Sequence, residues 1–203
     1  MTEPRGKQWV SLLSLLTAAV LVVWFAPAER TLGQGIKVVY VHVSLTWAGM
    51  LGFTVAGLLG LALVVTRNPD LQRWNRIISQ VALLWFAAGF IMSLAAARVN
   101  WGAIYWQEPR VLASVRFLVA AALVQFVTRS GTSPRISGIL SAFLALFLMW
   151  SILGTPRVLH PGSPIRTSSS KAIQLTFIIL PTLSTLVAAW VVRFWHKKTF
   201  AQN

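Results

Sequence analysis

Residues 38–65 read VVYVHVSLTWAGMLGFTVAGLLGLALVV, twenty-eight positions without a single Asp, Glu, Lys or Arg. About 20 apolar residues in a helix cross a hydrocarbon core of roughly 30 Å, so this block can span a bilayer with some tilt. It lacks the alternation of a barrel strand, and an open strand would leave its backbone groups unpaired in lipid. A transmembrane helix is what remains. Within it Gly52, Ala56 and Gly60 recur at four-residue spacing, a small-residue stripe that lets a neighbouring helix approach closely.

Five further apolar blocks lie on either side, at roughly 9–26, 77–97, 111–127, 136–153 and 172–194. Turn-forming stretches separate them, among them Asn68-Pro69-Asp70, Ser130-Gly131-Thr132-Ser133-Pro134 and Pro161-Gly162-Ser163-Pro164. No repeat of fixed period is visible. The expected fold is an all-α integral membrane protein, a single six-transmembrane-helix bundle over residues 1–203. Arg5 and Lys7 before the first block, with Ala26-Pro27-Ala28 after it, imitate a secretory signal. The block is longer than a signal core and carries proline at the would-be cleavage site, so an uncleaved first helix is expected.

Composition agrees. Apolar residues make up 56% of the 203 and charged residues 11%, against about 45–50% and about 25% in soluble domains. Mean hydropathy is +0.69. A soluble enzyme and a disordered chain are both excluded on these numbers. Eighteen Lys and Arg against four Asp and Glu give a net charge of +14. The basic residues are scattered through short loops, not gathered into a stripe with interleaved aromatics, which points to anionic lipid head groups and not to nucleic acid. Ten fall on the side of the termini and eight on the other, so the charge bias places both termini inside. With no cysteine there is no thiolate ligand and no disulfide exchange.

With six helices, the first, third and fifth loops share one membrane face. His42 stands at the mouth of the second helix there, and His160 lies in the fifth loop, while His196 falls on the opposite side. The third loop runs Asn100-Trp101-Gly102-Ala103-Ile104-Tyr105-Trp106-Gln107-Glu108-Pro109-Arg110. Taken singly, each feature is ordinary: interfacial histidines, aromatic-belt anchors, solvated loop residues. Together they describe a chemistry. Two imidazoles can fill both axial positions of a six-coordinate iron, flat aromatics stack on a macrocycle, and arginines pair with propionates. Other chemistries lack their parts. The acids Glu3, Glu29, Asp70 and Glu108 are too few for a catalytic triad, and no phosphate loop or HExxH pair occurs. A structural zinc site would need four ligands, and no span carries an acid near mid-depth for a proton relay.

The sequence resembles the heme-handling membrane proteins of cytochrome c assembly, most of all the six-helix CcmC-type heme exporter protein C. Three landmarks carry the resemblance. Val39-Tyr40-Val41-His42-Val43-Ser44-Leu45-Thr46-Trp47 is similar to the family's Tyr-Ile-His-Val-Pro-x-x-Trp segment, with Ser44 in place of the proline. The stretch from Trp101-Gly102 to Glu108-Pro109-Arg110 stands where the family has its WGxxWxWDxR signature, with Ile104, Tyr105 and Gln107 at central positions, Trp106 displaced, and Glu108 for the aspartate. Leu159-His160 occupies the place of the second ligand histidine.

The resemblance implies a heme site with His42 and His160 as axial metal ligands. Trp101, Gly102, Tyr105, Trp106, Glu108 and Arg110 would form the surrounding platform. On charge and placement alone, Arg110, Arg116 or Arg166 is expected toward the propionates, with Arg98 and Lys171 as alternatives. It further implies transfer of heme to a heme chaperone and association with ATP-driven heme exporter subunits. The setting would be a bacterial plasma (inner) membrane, multi-pass, with both termini cytoplasmic. The chain would be a binding and transfer device, not an enzyme, and any ATP hydrolysis would belong to a partner. A second reading is a membrane subunit of a transporter or assembly complex that binds no heme; it tolerates loss of either histidine.

Overall fold

A computed structural model describes residues 5–156 and 168–200. His160, Arg157 and Arg166 lie outside these described residues, as do the two termini. Six helices follow one another among them: α1 (Arg5–Phe25), α2 (Ile36–Thr66), α3 (Pro69–Trp101), α4 (Pro109–Arg129), α5 (Pro134–Leu153) and α6 (Lys171–Phe200). Five are long and apolar enough to cross a membrane, and the apolar part of α1, Trp9–Phe25, is shorter, near the lower limit of about 17 residues for a span. The chain is an all-α, multi-pass membrane bundle.

Local chemistry sets the helix ends. Asn68 caps α3 by accepting the N–H groups of Asp70 (2.8 Å) and Leu71 (3.4 Å), Pro69 follows as the first helical residue, and Asp70 complements the helix dipole. Glu108 caps α4 through Val111 N (2.9 Å), and Ser133 caps α5 through Ile136 N (3.3 Å), each followed by proline. At the other end of α3, Gly102 takes a left-handed φ of 76° and returns its N–H to Arg98 O, a conformation that glycine adopts without strain. α3 is therefore longer than its apolar block at 77–97. Hydropathy marks the part that meets lipid, whereas the capping groups decide where the helix stops. Pro181 sits inside α6.

The helix α2 lies at the centre, against α3, α5 and α6, with α4 beside α3 and α5, and α1 resting mainly on α6. The small-residue stripe serves two neighbours. A Cβ on Gly52 would come within 2.8 Å of Ala82 on α3, and one on Gly60 within 2.6 Å of the Gly138 carbonyl on α5. Only glycine permits backbones that close. Phe53, Phe86 and Phe117 interlock edge to face at 4.9–6.4 Å, tying α2, α3 and α4 together above Leu144 and Leu148 of α5. A second core joins α2 to α6, where Tyr40 meets Phe177 edge-on at 4.7 Å among Ile36, Ile173 and Leu180. Large apolar side chains such as Leu58, Phe126, Leu146 and Trp150 face outward, as expected where the surrounding solvent is lipid.

Candidate functional site

At the end of the bundle away from the termini, a cavity of about 790 Å³ opens between α2, α3, the first and third loops and the start of α6. That volume lies within the range of about 300–1,000 Å³ typical of cofactor-sized sites. His42 lines it from α2, Trp101 from the last turn of α3, Tyr105 from the third loop and Glu108 from the cap of α4. Phe177 of the second core closes the cavity on the α6 side, with Ser168, Ser169 and Ser170 at the start of that helix.

His42 is half-buried, and its Nδ1 lies 2.8 Å from the carbonyl oxygen of Gly89 on α3. A carbonyl only accepts, so Nδ1 carries the proton and donates it, leaving the ring's lone pair on Nε2. That is the arrangement in which a ligating imidazole is oriented and made more basic by a partner behind it. Thr46, one turn along, approaches the same Nδ1 at 3.4 Å. The contact depends on Gly89: a Cβ there would lie 2.7 Å from Thr46 N and 2.5 Å from Thr46 Oγ1. Glycine lets α3 come close enough for its backbone to reach the imidazole.

The first loop is folded, not slack. Glu29 and Gly33 exchange backbone hydrogen bonds at 3.2 and 2.7 Å, and the Glu29 carboxylate accepts from Thr31 N (2.7 Å) and Leu32 N (2.8 Å). Those donors, the Leu32 N–H foremost, hold its pKa below the ordinary 4.5. Glu29, Arg30, Thr31 and Leu32 all line the cavity, so this loop brings an exposed arginine to its wall. Arg30 was not among the arginines expected near the site. The signal lay in its loop, which shares a face with the tryptophan loop.

The remaining expected residues stand as follows. Trp101 is the last residue of α3 and not part of a loop, because Gly102 ends the helix just after it. Gly102 serves that turn and does not line the cavity; Trp106, 59% exposed, is likewise outside the lining, as is Arg110, half-buried in the first turn of α4. Arg116 is exposed on α4 and likewise outside it. Glu108, only 6% exposed, is engaged in capping α4. The signature therefore separates into residues that face the cavity and residues that shape the turn. Among the described residues no three His, Cys, Asp or Glu gather into a metal cluster; a porphyrin brings four nitrogens of its own and asks the protein only for axial donors.

Comparison with known proteins adds one similarity. No protein-family model matches the chain. It is 23% identical over 101 residues to a protein of Marchantia polymorpha named as a cytochrome c biosynthesis ccmC-like mitochondrial protein, an alignment covering 50% of this chain. The match spans 44% of that relative's length.

Proposed function

We propose that this membrane protein handles heme in cytochrome c maturation, binding it in the cavity at the Trp101 end and passing it to a heme chaperone. The observation that carries the reading is the pinned imidazole. His42 lines a cofactor-sized space while the Gly89 carbonyl fixes its ring through Nδ1, and Trp101 and Tyr105 supply aromatic surface in the same cavity. The similarity to a ccmC-like relative points the same way.

In this reading the residues divide the work. His42 donates one axial ligand and His160 the other. Trp101 and Tyr105 stack on the macrocycle, an interaction worth about 0.5–1.5 kcal/mol per aromatic pair beyond buried area. Arg30, which lines the cavity as Arg110 and Arg116 do not, would meet a propionate through a charge-assisted bond. Glu108, with Gly102, holds the loop between α3 and α4 in shape. Release to a receiver would require both histidines to be exchanged for the receiver's own ligands, with no covalent bond to break. ATP-driven exporter subunits are the expected partners, the chain having no phosphate-binding motif. The cavity would face outward from a bacterial inner membrane with both termini cytoplasmic, the side favoured by the basic residues.

The test is an absorption spectrum of detergent-purified protein from heme-replete cells and after hemin addition, beside His42→Ala and His160→Ala. A low-spin bis-histidine spectrum in the wild type, lost or altered in both variants, supports the reading. A wild type that carries no heme and takes up none from added hemin sinks it and leaves the non-heme subunit.

A further inference from the structure

The opposite end of the bundle, nearest the termini, holds a concentration of polar groups unusual for a membrane interior. Asn75, Ser79, Gln125, Thr128, Ser137 and Ser141 are all buried there, between α3, α4 and α5. Polar residues at such positions cost free energy unless they are hydrogen-bonded. Most are. Asn75 Nδ2 donates to Ala56 O (2.6 Å) while its Oδ1 accepts from Ser141 (2.8 Å). Gln72 Nε2 donates to Thr132 O (2.9 Å) and Ser137 Oγ (2.8 Å), and Arg76 Nη2 donates to Thr128 O (2.9 Å).

Two buried atoms in this cluster have no protein partner: Arg76 Nε and Gln125 Oε1. Both residues line the same small void of about 10 Å³, and Gln125 is 6% exposed. A void of that size takes about one water molecule. The chemistry of the two atoms narrows the occupant further. Arg76 Nε–H is only a donor and Gln125 Oε1 only an acceptor. An anion would satisfy the guanidinium but confront the amide oxygen, and a cation would do the reverse. A single neutral group that accepts from one and donates to the other fits both.

We infer that an ordered water occupies this void, accepting from Arg76 Nε and donating to Gln125 Oε1, and so joins α3 to α4 at the termini end of the bundle. The hydroxyl oxygens of Ser79 and Thr128, which also line the void, offer acceptors for its second proton. The bridge reinforces the Arg76–Thr128 bond and fixes the base of α4, whose other end begins at Glu108. It is independent of heme binding.

The experiment is an electron-density or cryo-electron-microscopy map of the wild-type protein at a resolution that shows ordered water. The expected result is a peak within hydrogen-bonding distance of both atoms. An empty void, or a direct Arg76–Gln125 contact, overturns the inference. The sign of a stability change gives a second test. With water present, Gln125→Met removes a bridge and strands Arg76 Nε, lowering the melting temperature by about 2–4 °C. Without it, the same substitution removes a stranded acceptor, so an unchanged or higher melting temperature overturns the inference.

Discussion

The two ends of this bundle treat polar groups in opposite ways. At the termini end, most of the buried hydroxyls and amides are paired, with one another or with backbone carbonyls, around a void of about 10 Å³. At the Trp101 end, histidine, arginine, serines and aromatics border about 790 Å³ of open space. Hydrogen-bonded polar networks rigidify a fold, whereas a large cavity lined with polar handles gives up packing that the same residues could have made. One end holds the helices in register, and the other leaves a cavity of cofactor size between them. The two meet along α3, which carries Asn75 and Arg76 near its start and Gly89 and Trp101 toward its finish.

Substitutions can break this contrast. The largest stability effect should come from Gly89→Ala, whose methyl would lie 2.7 Å from Thr46 N. Separating α2 from α3 there costs about 1–3 kcal/mol and withdraws the carbonyl from His42, so thermal denaturation and heme titration should both worsen. Asn75→Leu should cost about 1–2 kcal/mol through the lost bonds to Ala56 and Ser141. Because it acts at the far end, its hemin affinity should stay at the wild-type value; a change in both would show that the ends are coupled.

Smaller effects sharpen the site itself. Trp101→Ala should weaken hemin binding by about 2–12-fold, the equivalent of about 0.5–1.5 kcal/mol of aromatic stacking. Trp106→Ala, outside the cavity, should leave it unchanged, and equal losses in side-by-side titrations would contradict the cavity as drawn. The smallest effect concerns Glu29. Its pKa is lower in the folded loop than in the unfolded chain, so its contribution to loop order is present above the ordinary 4.5 and lost as pH falls through the folded value. Hydrogen exchange at Thr31 and Leu32 should accelerate across that acid window in the wild type but not in Glu29→Gln.

How far the sequence could be read depended on the range of the forces involved. Lipid-facing stretches were legible because hydropathy is a local sum and the bilayer thickness is fixed. The polar opening of α3 was not, since Gln72, Arg73 and Arg76 look like loop residues until Asn68-Pro69-Asp70 is read as a cap. Trp101 looked like a loop residue for the same reason, although Gly102 marks the helix stop. His42 stood out as a lone imidazole in an apolar run. Its partner, 47 residues away in sequence, is a backbone carbonyl and so leaves no side-chain signature. Which of two adjacent aromatics, Tyr105 or Trp106, turns into the cavity depends on the phase of one short turn. Arg30 required the Glu29–Gly33 fold of the first loop.

In the proposed function, heme is ligated by the His42 imidazole, held in place by the Gly89 carbonyl. The most direct measurement is the low-temperature electron paramagnetic resonance spectrum of hemin-loaded protein for wild type and His42→Gly, with and without added imidazole. A low-spin bis-imidazole signal should disappear in the variant, with affinity falling by at least about 10–100-fold, the amount that losing even a ligand's supporting partner costs. Imidazole entering the vacated space should restore the signal. An unchanged low-spin signal in His42→Gly, before any imidazole is added, would contradict the account.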